Sequence, residues 1–542
     1  MQYISNRDSN MDEEKRKKHN QEYIKQELEK KNEYFNNMFI NIDKNIKLDE
    51  QQRKIILTDE DNLMVIAGAG TGKTTTITAK VNYLIKHKSI KEDEILIITF
   101  TNKAVQELKN RINKEFKHNI KIQTFHKLGY QIITNNTKHI PKINNKPEKI
   151  IKEYLKKNII NTTKNIKIIK KHLKIKNKTK INESEIEKIT NYCIRFINTY
   201  KAKGLTTKNI KKVKSTKTTK KIITILNQIY IYYQNQLISN NQIDYNDMIT
   251  NATEKIKNNK EQKLKYKYII IDEYQDISEC RYELINAIRN KYKSKIMIVG
   301  DDWQSIYKFA ASNINLFTKF QKNEEKCEIL KIENTYRNSQ QLIDIAGNFI
   351  QKNNQQIKKQ LKSKKTLNNP IKIIKYKKTK DKIKKLTEIL EYIIKKYGLN
   401  KNILILGRYT FDKKEIIDNK TIIENLNTPN KIKYTKYPTV NIDYMTVHSS
   451  KGLGYDNVIL INTKNEKLGF PSKIKQDKIL KQLTEDETTI KYPEERRLFY
   501  VALTRTKNEI IIMTPRIKQS KFIREIKHNK NIVITSNINK IK

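Results

Sequence analysis

The fold of this chain is decided by residues 63–74, which read Leu-Met-Val-Ile-Ala-Gly-Ala-Gly-Thr-Gly-Lys-Thr. The first four residues form a short apolar run typical of a buried strand, and residues 75–85 have the pattern of a helix. Glycines at such a junction let successive backbone N–H groups converge on phosphate oxygens at the positive end of the helix. The stretch predicts a phosphate-binding loop, although Ala67 stands where the pattern G-x-x-x-x-G-K-[ST] begins with glycine.

A second apolar run supplies the acidic residues that such a loop requires. Residues 268–271 are followed by Asp272 and Glu273, and a carboxylate at the end of a strand lies beside the phosphate loop in doubly wound folds. We expect Lys73 to reach the β- and γ-phosphates, and Thr74 and Asp272 to hold Mg²⁺. Glu273 is placed to orient and deprotonate the attacking water.

Further short apolar runs predict two α/β domains. One set lies at residues 63–66, 95–98, 268–271 and 296–299, and a second set lies at 403–406, 441–447, 458–461 and 510–513. Residues 140–260 lack such runs and have helical periodicity, which predicts a helical insertion within the first domain. Residues 12–45 have the pattern of a helical N-terminal extension.

The charge of the chain is large but carries little information alone. The 542 residues include 111 Lys and Arg against 58 Asp and Glu, a formal net charge of +53. Lys, Ile and Asn dominate the composition, as an AT-rich genome would produce, so the charge leaves nucleic-acid binding open. The 12 glycines, 14 arginines and single tryptophan are more informative, because compositional drift does not concentrate them at particular places.

Other features exclude several classes of protein. An apolar content of 37% argues against a disordered basic tail, no apolar run reaches the ~18 residues of a transmembrane helix, and no secretory signal opens the chain. Cys193, Cys280 and Cys327 lie far apart, without metal-binding or disulfide spacing. We therefore expect a cytoplasmic protein.

The stretch Asp272-Glu273-Tyr274-Gln275-Asp276 resembles the DExQD box of the UvrD/Rep-like superfamily 1 DNA helicases. Other motifs of that family follow in the family's order over about residues 48–515, and the form of motif III with Trp303 is similar to the helicase IV branch. The matching stretches are 48–53 (Q motif), 99–104 (Ia), 124–126 (Ib), 243–247 (before the Walker B strand), 299–307 (III), 334–339 (IV), 446–453 (V) and 495–506 (VI).

The resemblance implies an α/β fold of two RecA-like P-loop NTPase domains, with a helical insertion in the first and a reduced insertion in the second. Residues 337–448 are too few to hold in full the large subdomain that many members insert there. The domains that we predict are a helical N-terminal extension (1–47), a first RecA-like ATP-binding domain (48–139 and 261–330), its helical insertion subdomain (140–260), and a second RecA-like domain (331–542) with its reduced insertion around 350–400.

The resemblance also assigns roles around the nucleotide. It implies that Gln52 reads the adenine, that Tyr336 stacks on it and that Gln304 senses the γ-phosphate. Arg337 and Arg505 would reach across a cleft from the second domain, because guanidinium groups supply permanent, fork-shaped charge. The predicted catalytic residues are Lys73, Asp272, Glu273, Gln304, Arg337 and Arg505, with ATP and Mg²⁺ as cofactors. The predicted nucleotide contacts are Gln52, Ala67, Gly68, Ala69, Gly70, Thr71, Gly72, Lys73, Thr74, Thr75 and Tyr336.

A motor that moves over any DNA sequence needs flat side chains for bases and polar groups for phosphates. The predicted DNA contacts are Phe100 and Phe309 as base stackers, and Thr101, Asn102, Thr124, His126 and His448 toward the backbone. Trp303 could stack on DNA or pack in the core, and the two histidines could instead be structural. The expected partners are single-stranded DNA and junctions with duplex DNA.

Three departures from the family pattern bear on these roles. Gly454 replaces a glutamate that contacts the nucleotide sugar, and Thr75 replaces an arginine on the adenine side. Ala310-Ala311 replaces an Arg-Gly pair after the stacking aromatic residue. Sugar recognition and coupling to DNA are therefore expected to differ in detail from those of many members.

The leading hypothesis is an ATP-dependent 3′–5′ DNA helicase or translocase in repair, recombination or replication, with polarity taken from the resemblance. One alternative is a translocase that strips proteins from single strands without unwinding. Another is an RNA-polymerase-associated factor, for which the N-terminal extension is short. A non-hydrolysing switch conflicts with the intact Glu273, Gln304 and Arg505. We expect a monomer or weak self-association, no membrane contact, and repair or replication proteins as further partners. The resemblance also implies association with the nucleoid, or with the host cytoplasm or nucleus if the protein is viral.

Overall fold

A computed structural model describes the chain except residues 41–44, 136–138, 161, 176–180, 207–216, 259–263, 325–326, 426–427, 429, 485–488 and 539–542. The strands are β1 (Asn62–Ala67), β2 (Ile95–Thr99), β3 (Lys121–Thr124), β4 (Lys142–Ile143), β5 (Gln242–Ile243), β6 (Tyr268–Ile271), β7 (Lys295–Gly300), β8 (Glu328–Ile332), β9 (Ile371–Tyr376), β10 (Ile403–Gly407), β11 (Ile422–Glu424), β12 (Lys431–Tyr434), β13 (Ile442–Thr446), β14 (Asn457–Leu460), β15 (Ile510–Pro515) and β16 (Ile532–Thr535).

Helices connect most of these strands and cover the sheets. They are α1 (Glu13–Lys30), α2 (Asn32–Asn37), α3 (Glu50–Leu57), α4 (Lys73–Lys88), α5 (Asn102–Phe116), α6 (Phe125–Thr134), α7 (Pro147–Tyr154), α8 (Thr163–Leu173), α9 (Glu183–Ala202), α10 (Lys217–Ser239), α11 (Tyr245–Asn258), α12 (Glu279–Tyr292), α13 (Asn315–Thr318), α14 (Phe320–Asn323), α15 (Gln340–Ile350), α16 (Asp381–Tyr397), α17 (Lys478–Leu483), α18 (Pro493–Leu503) and α19 (Lys521–Ile526). Within the described residues, no helix is both long enough and apolar enough to cross a membrane.

The first sheet is parallel and has the strand order β3-β2-β6-β7-β1-β8. The four apolar runs that predict its strands are confirmed as β1, β2, β6 and β7. Their side chains are buried on both faces, which explains the continuous apolar pattern. The connection that follows β1 leads to β2, toward one edge of the sheet, and the connection that follows β7 leads to β8 at the other edge. A crevice therefore opens at the carboxyl ends of β1 and β7.

The second sheet is mixed and has the strand order β11-β12-β13-β10-β14-β15-β9-β16. The runs at residues 403–406, 441–447, 458–461 and 510–513 are confirmed as β10, β13, β14 and β15. β11 and β12 extend the sheet with antiparallel pairing. In the segment 350–400, where we predict a reduced insertion, β9 pairs with β15 and β16 inside this sheet. Two α/β domains are therefore present, as expected.

The helices between β3 and β6 form a layer with a core of its own. Apolar side chains from α7, α8, α9 and α10 pack together there, among them Ile151, Ile169, Phe196 and Ile229. The two-residue strands β4 and β5 pair in parallel at the two ends of this segment, where the sequence predicts no strand. Helix α17 from the far end of the chain completes the same core.

The N-terminal helices α1 and α2 pack on the first sheet's side of the molecule. Phe35 and Phe39 lie in a buried cluster with Leu57 of α3 and Tyr83 of α4. The Arg16 guanidinium is buried and lies 2.5 Å from the Glu60 carboxylate, next to the start of β1. The extension is thus attached to the element that leads into the phosphate loop. The predicted domain boundaries, some of which fall near undescribed residues, stay predictions.

Candidate nucleotide site and nucleic-acid interface

The predicted phosphate loop joins the end of β1 to the start of α4. Lys73 is the first residue of α4, and both Gly70 (φ +73°) and Gly72 (φ +81°) have left-handed backbone conformations that favour glycine. A Cβ atom at Gly72 would lie 2.7 Å from Gln52 Nε2, so a side chain there would have to displace that amide group. The loop therefore presents its N–H groups at the positive end of a helix, as anion binding requires.

The acidic residues that follow β6 lie against this loop. Lys73 Nζ lies 2.6 Å from Glu273 Oε1, and Gln275 Nε2 donates to Glu273 Oε2 at 2.6 Å. Burial opposes ionisation of Glu273, but Lys73 and Lys451 outweigh it and hold its pKa well below the ordinary value. Burial and the nearby Glu273 charge raise the pKa of Asp272 to about 6. Two adjacent carboxyl groups are thus given different proton affinities.

The oxygen donors at this edge suit a hard divalent cation. The Thr74 hydroxyl group follows Lys73 on α4, and the Asp272 carboxyl group follows β6. Mg²⁺ prefers a few protein oxygen ligands together with water and phosphate oxygens. Thr74 and Asp272 could therefore hold the ion, which would neutralise phosphate charge during phosphoryl transfer.

Cationic side chains from the second domain reach the same edge. Arg505 follows α18, is fully buried, and donates from Nη2 to Gln304 Oε1 at 3.0 Å. Burial and the neighbouring Arg337 lower the pKa of Arg505 to about 9. Gln304 in turn donates from Nε2 to Asp301 Oδ2 at 2.6 Å. The residue predicted to sense the γ-phosphate thus links Arg505 to the first sheet.

Residues 334–337 lie directly on the phosphate loop. Thr335 Oγ1 donates to the Ala69 carbonyl at 2.8 Å, and the Tyr336 N–H donates to the Gly70 carbonyl at 3.0 Å. A Cβ atom at Gly70 would meet Arg337 Cβ at 2.6 Å. The structure therefore brings the motif IV arginine to the loop.

The predicted adenine contacts lie on one side of the loop. Gln52 is buried and donates from Nε2 to the Thr71 carbonyl at 3.2 Å. The Tyr336 ring is 59% exposed, and its hydroxyl group donates to Asp49 Oδ2 at 2.9 Å. Asp49 also caps α3 through the Gln52 N–H. An exposed ring beside a fixed amide group is an arrangement that can stack on and read a base.

Two of the departures from the family pattern have a structural counterpart. Arg111 of α5 donates from Nη2 to the Thr75 hydroxyl group at 2.9 Å, so a guanidinium group lies beside Thr75 after all. A Cβ atom at Gly454 would lie 3.1 Å from Arg337 Nε, so the absent side chain leaves room for Arg337. Arg111 was not predicted, because composition and spacing contain no signal for it.

Two lysines that the sequence analysis did not assign also belong to this site. Lys451 of motif V is buried and forms ion pairs with Asp276 and, at 3.5 Å, with Glu273. Lys359 is fully buried and pairs with Asp301 at 2.5 Å. Lys451 lies within motif V, so its position in a family motif is the signal from which a role at this site could have been predicted. Lys359 has no comparable signal, because lysine is abundant throughout the chain.

The predicted DNA contacts fall into two groups. On the first sheet, Thr101 and Thr124 cap the starts of α5 and α6, and Asn102 is exposed at the start of α5. The Phe100 ring packs 5.2 Å from the Phe125 ring and is partly exposed. The His126 ring lies 5.4 Å from the Tyr245 ring. These side chains share the carboxyl edge of β2 and β3.

The second group joins the two domains. The Phe309 ring is 59% exposed and lies 5.6 Å from the ring of His448. Burial and nearby cationic groups lower the pKa of His126 and of His448 to about 4, so both are neutral at pH 7. Trp303 is fully buried, with its ring 5.3 Å from Tyr500 and its Nε1 donating to the Ile357 carbonyl. Of the two roles left open for Trp303, core packing is the correct one.

The fold and site together define a P-loop ATPase in which a second α/β domain supplies basic residues to the nucleotide site of the first. Residues 48–325 match the model of the UvrD/REP helicase N-terminal domain, and residues 410–516 match that of the UvrD-like helicase C-terminal domain. The chain belongs to the UvrD/REP helicase family, whose members are ATP-dependent DNA helicases of superfamily 1.

Individual relatives agree with this assignment. The chain is 26% identical over 513 residues to DNA helicase IV of Escherichia coli (strain K12). The matched region covers 90% of this chain and 70% of the relative. It is 29% identical over 445 residues to ATP-dependent DNA helicase Rep of Buchnera aphidicola, covering 78% of this chain and 64% of that one. It is 29% identical over 315 residues to ATP-dependent DNA helicase PcrA of Staphylococcus epidermidis, and the matched region covers 57% of this chain and 40% of that relative.

Proposed function

We propose that this chain is an ATP-dependent 3′–5′ DNA helicase and single-stranded DNA translocase that acts on single strands and their junctions with duplex DNA. The observation that carries the proposal is the contact of Arg505 and Lys451, from the second domain, with Gln304 and Glu273 of the first. When nucleotide phosphates displace these contacts, the two domains are joined through the nucleotide instead of through their own side chains. Hydrolysis can therefore be converted into domain motion.

In this proposal each residue has a role in phosphoryl transfer. Lys73 and the loop N–H groups bind the phosphates, and Thr74 and Asp272 hold Mg²⁺. Glu273, whose depressed pKa keeps it ionised, orients the water and accepts its proton. Gln304, Arg337 and Arg505 stabilise the charge that develops on the γ-phosphate.

The DNA strand would cross both domains along the carboxyl edges of the two sheets. Phe100 and Phe309 would stack on bases, and Thr101, Asn102, Thr124, His126 and His448 would contact the backbone. Since both histidines are neutral near pH 7, they would act through hydrogen bonds rather than through charge. Repair, recombination or replication of cytoplasmic or nucleoid DNA is the proposed setting, with proteins of those processes as partners.

The decisive measurement is ATP hydrolysis by the full chain with and without single-stranded DNA. We expect strong stimulation by DNA in the wild type. We expect Glu273→Gln to lower hydrolysis by about 100-fold or more while ATP binding is kept, because the water loses its base. The exposed Glu254→Gln is the matched control and should behave as wild type. DNA-independent hydrolysis, or none, would contradict the proposal.

One observation favours translocation without unwinding as a second candidate. Between Arg337 and His448, the described strands β9 to β13 all belong to the second sheet, so a separate large subdomain does not arise from the described residues there. A strand-displacement assay with 3′ and 5′ tails separates the two functions. Displacement only from a 3′ tail supports the helicase, whereas DNA-stimulated hydrolysis without displacement supports the translocase.

A further inference from the structure

Four phenylalanine and tyrosine rings are exposed among the residues that the structure describes, and three of them have a contact or a predicted role in the nucleotide site or DNA track. Tyr336 and Phe309 are predicted to stack on adenine and on DNA, and Tyr245 contacts His126. The fourth is Phe411, which is 45% exposed and lies just after β10 in the second domain.

The Phe411 ring packs against a neighbour that is itself anchored. It stacks on the Tyr409 ring with centroids 4.9 Å apart and planes 9° apart. The Tyr409 hydroxyl group donates to Ser472 Oγ at 2.7 Å. The buried Asp412 carboxylate accepts from the N–H groups of Arg408 and Tyr409 at 2.8 and 3.0 Å, which fixes the turn. A preorganised ring loses little conformational entropy when a ligand stacks on it.

The position of this pair continues the predicted DNA track. β10 and β13 are parallel neighbours in which Gly407 is paired with Thr446. Tyr409 and His448 each follow the paired residue by two positions, so they leave the sheet at the same edge. His448 already contacts the Phe309 ring at 5.6 Å. The aromatic pair therefore lies at the carboxyl end of the strand next to the one that leads to His448.

Two basic side chains lie near the pair, and one of them is held by an ion pair. The Arg408 guanidinium carbon lies 4.7 Å from the Tyr409 ring centroid and is oriented by ion pairing with Glu495. Lys414 is exposed three residues beyond Phe411. A flat ring flanked by cationic groups is the combination with which proteins bind single strands without reading sequence.

We propose that Phe411, supported from behind by Tyr409, is a stacking platform for one base of single-stranded DNA on the second domain. The inference rests on the proposed function. It adds a DNA contact on the second domain, and this contact would move relative to Phe100 of the first domain when the cleft closes. Because every base has a π-face, such a platform can be released and re-engaged at each step regardless of sequence.

The test measures the affinity of the full chain for an oligothymidylate by fluorescence anisotropy at fixed salt. We expect Phe411→Ala and Phe411→Leu to weaken binding by roughly 5- to 100-fold, since both remove the aromatic face. Phe411→Trp should bind as tightly as wild type or more tightly. Ile517→Ala, which truncates a 79% exposed apolar side chain of the same domain, is the control and should bind as wild type.

A scan with single abasic nucleotides supplies a readout that loss of folding cannot imitate. In wild type, an abasic nucleotide at one position should weaken binding, and this effect should vanish in Phe411→Leu. Phe411→Leu that binds as wild type, or an abasic effect that is the same in both proteins, would overturn the platform while DNA-stimulated hydrolysis remained. Loss of DNA stimulation in the wild type would instead overturn the proposed function.

Discussion

The Lys359 ammonium group is fully buried between two carboxylates, 2.5 Å from Asp301 Oδ1 and 2.7 Å from Asp302 Oδ1. It also lies 4.4 Å from the centroid of the buried Trp303 ring. Burial favours the neutral amine, but the two carboxylates outweigh it and raise the pKa of Lys359. Asp301 accepts from Gln304 through its other oxygen. The charge of Lys359 therefore stabilises the group that positions Gln304.

We expect Lys359→Met to lower the free energy of unfolding by about 3–5 kcal/mol, because it leaves two carboxylates buried without a countercharge. ATP hydrolysis should fall too, since Asp301 no longer holds Gln304 in one orientation. Urea denaturation and steady-state hydrolysis check the two effects. The exposed neighbour Lys358→Met is the matched control, with an expected change within about 0.5 kcal/mol. Equal stabilities of the two variants would refute this role for Lys359.

At the scale of elements, helix α17 connects the second domain to the helical layer of the first. Ile479, Leu480 and Leu483 are buried in the core formed by α7 to α10. Asp477 caps α17, accepts from the Tyr192 hydroxyl group at 2.9 Å and pairs with His172 at 2.7 Å. One short helix thus ties two parts of the molecule that the nucleotide cleft separates.

We expect Leu480→Asp to release α17 and to destabilise the helical layer, because it places an unpaired carboxylate in an apolar core. The variant should have a lower melting temperature than wild type and faster proteolysis within residues 140–260. Gln482→Asp adds the same charge at an exposed position of α17 and is the control. If both variants melt and are cleaved like wild type, the attachment of α17 contributes nothing to the stability of the layer.

The elements also show what the sequence could predict. Runs such as Tyr268–Ile271 are short and apolar at every position, which is typical of a strand buried on both faces, so they were predicted. β12 reads Lys-Ile-Lys-Tyr and β9 reads Ile-Lys-Ile-Ile-Lys-Tyr. In a chain dominated by Lys and Ile, alternation of these two residues arises by chance and does not indicate a strand. These strands, and helix α16 in the same Lys-rich region as β9, were therefore not predicted.

The residues of the candidate site also divide into those that the sequence predicts and those that only the folded structure reveals. Lys73, Glu273 and Arg505 lie in motifs whose spacing along the chain reports their chemistry, and the structure brings them to one edge. Lys359 and the Tyr409–Phe411 pair depend on contacts between distant segments, for which a single sequence contains no local signal. Lys359 differs from most of the lysines in being buried, and burial is a property of the folded chain.

At the scale of the whole molecule, the net charge of +53 does not measure the number of DNA contacts. A globular chain of this length has a radius of gyration of roughly 24 Å. A single strand that crosses it can therefore place on the order of ten phosphates against protein. Most of the lysines must lie away from the strand.

We expect the logarithm of the single-stranded DNA affinity to fall linearly with the logarithm of salt concentration, with a slope no steeper than about −7, because each neutralised phosphate contributes about −0.7. Titrations between low and moderate salt measure this slope. Lys414→Gln, beside the Phe411 platform, should make the slope shallower by about 0.7. Lys15→Gln removes the same charge from α1 and should leave it unchanged. A slope several times steeper, or equal effects of the two substitutions, would mean that the charge acts as a diffuse background and that DNA follows no defined track.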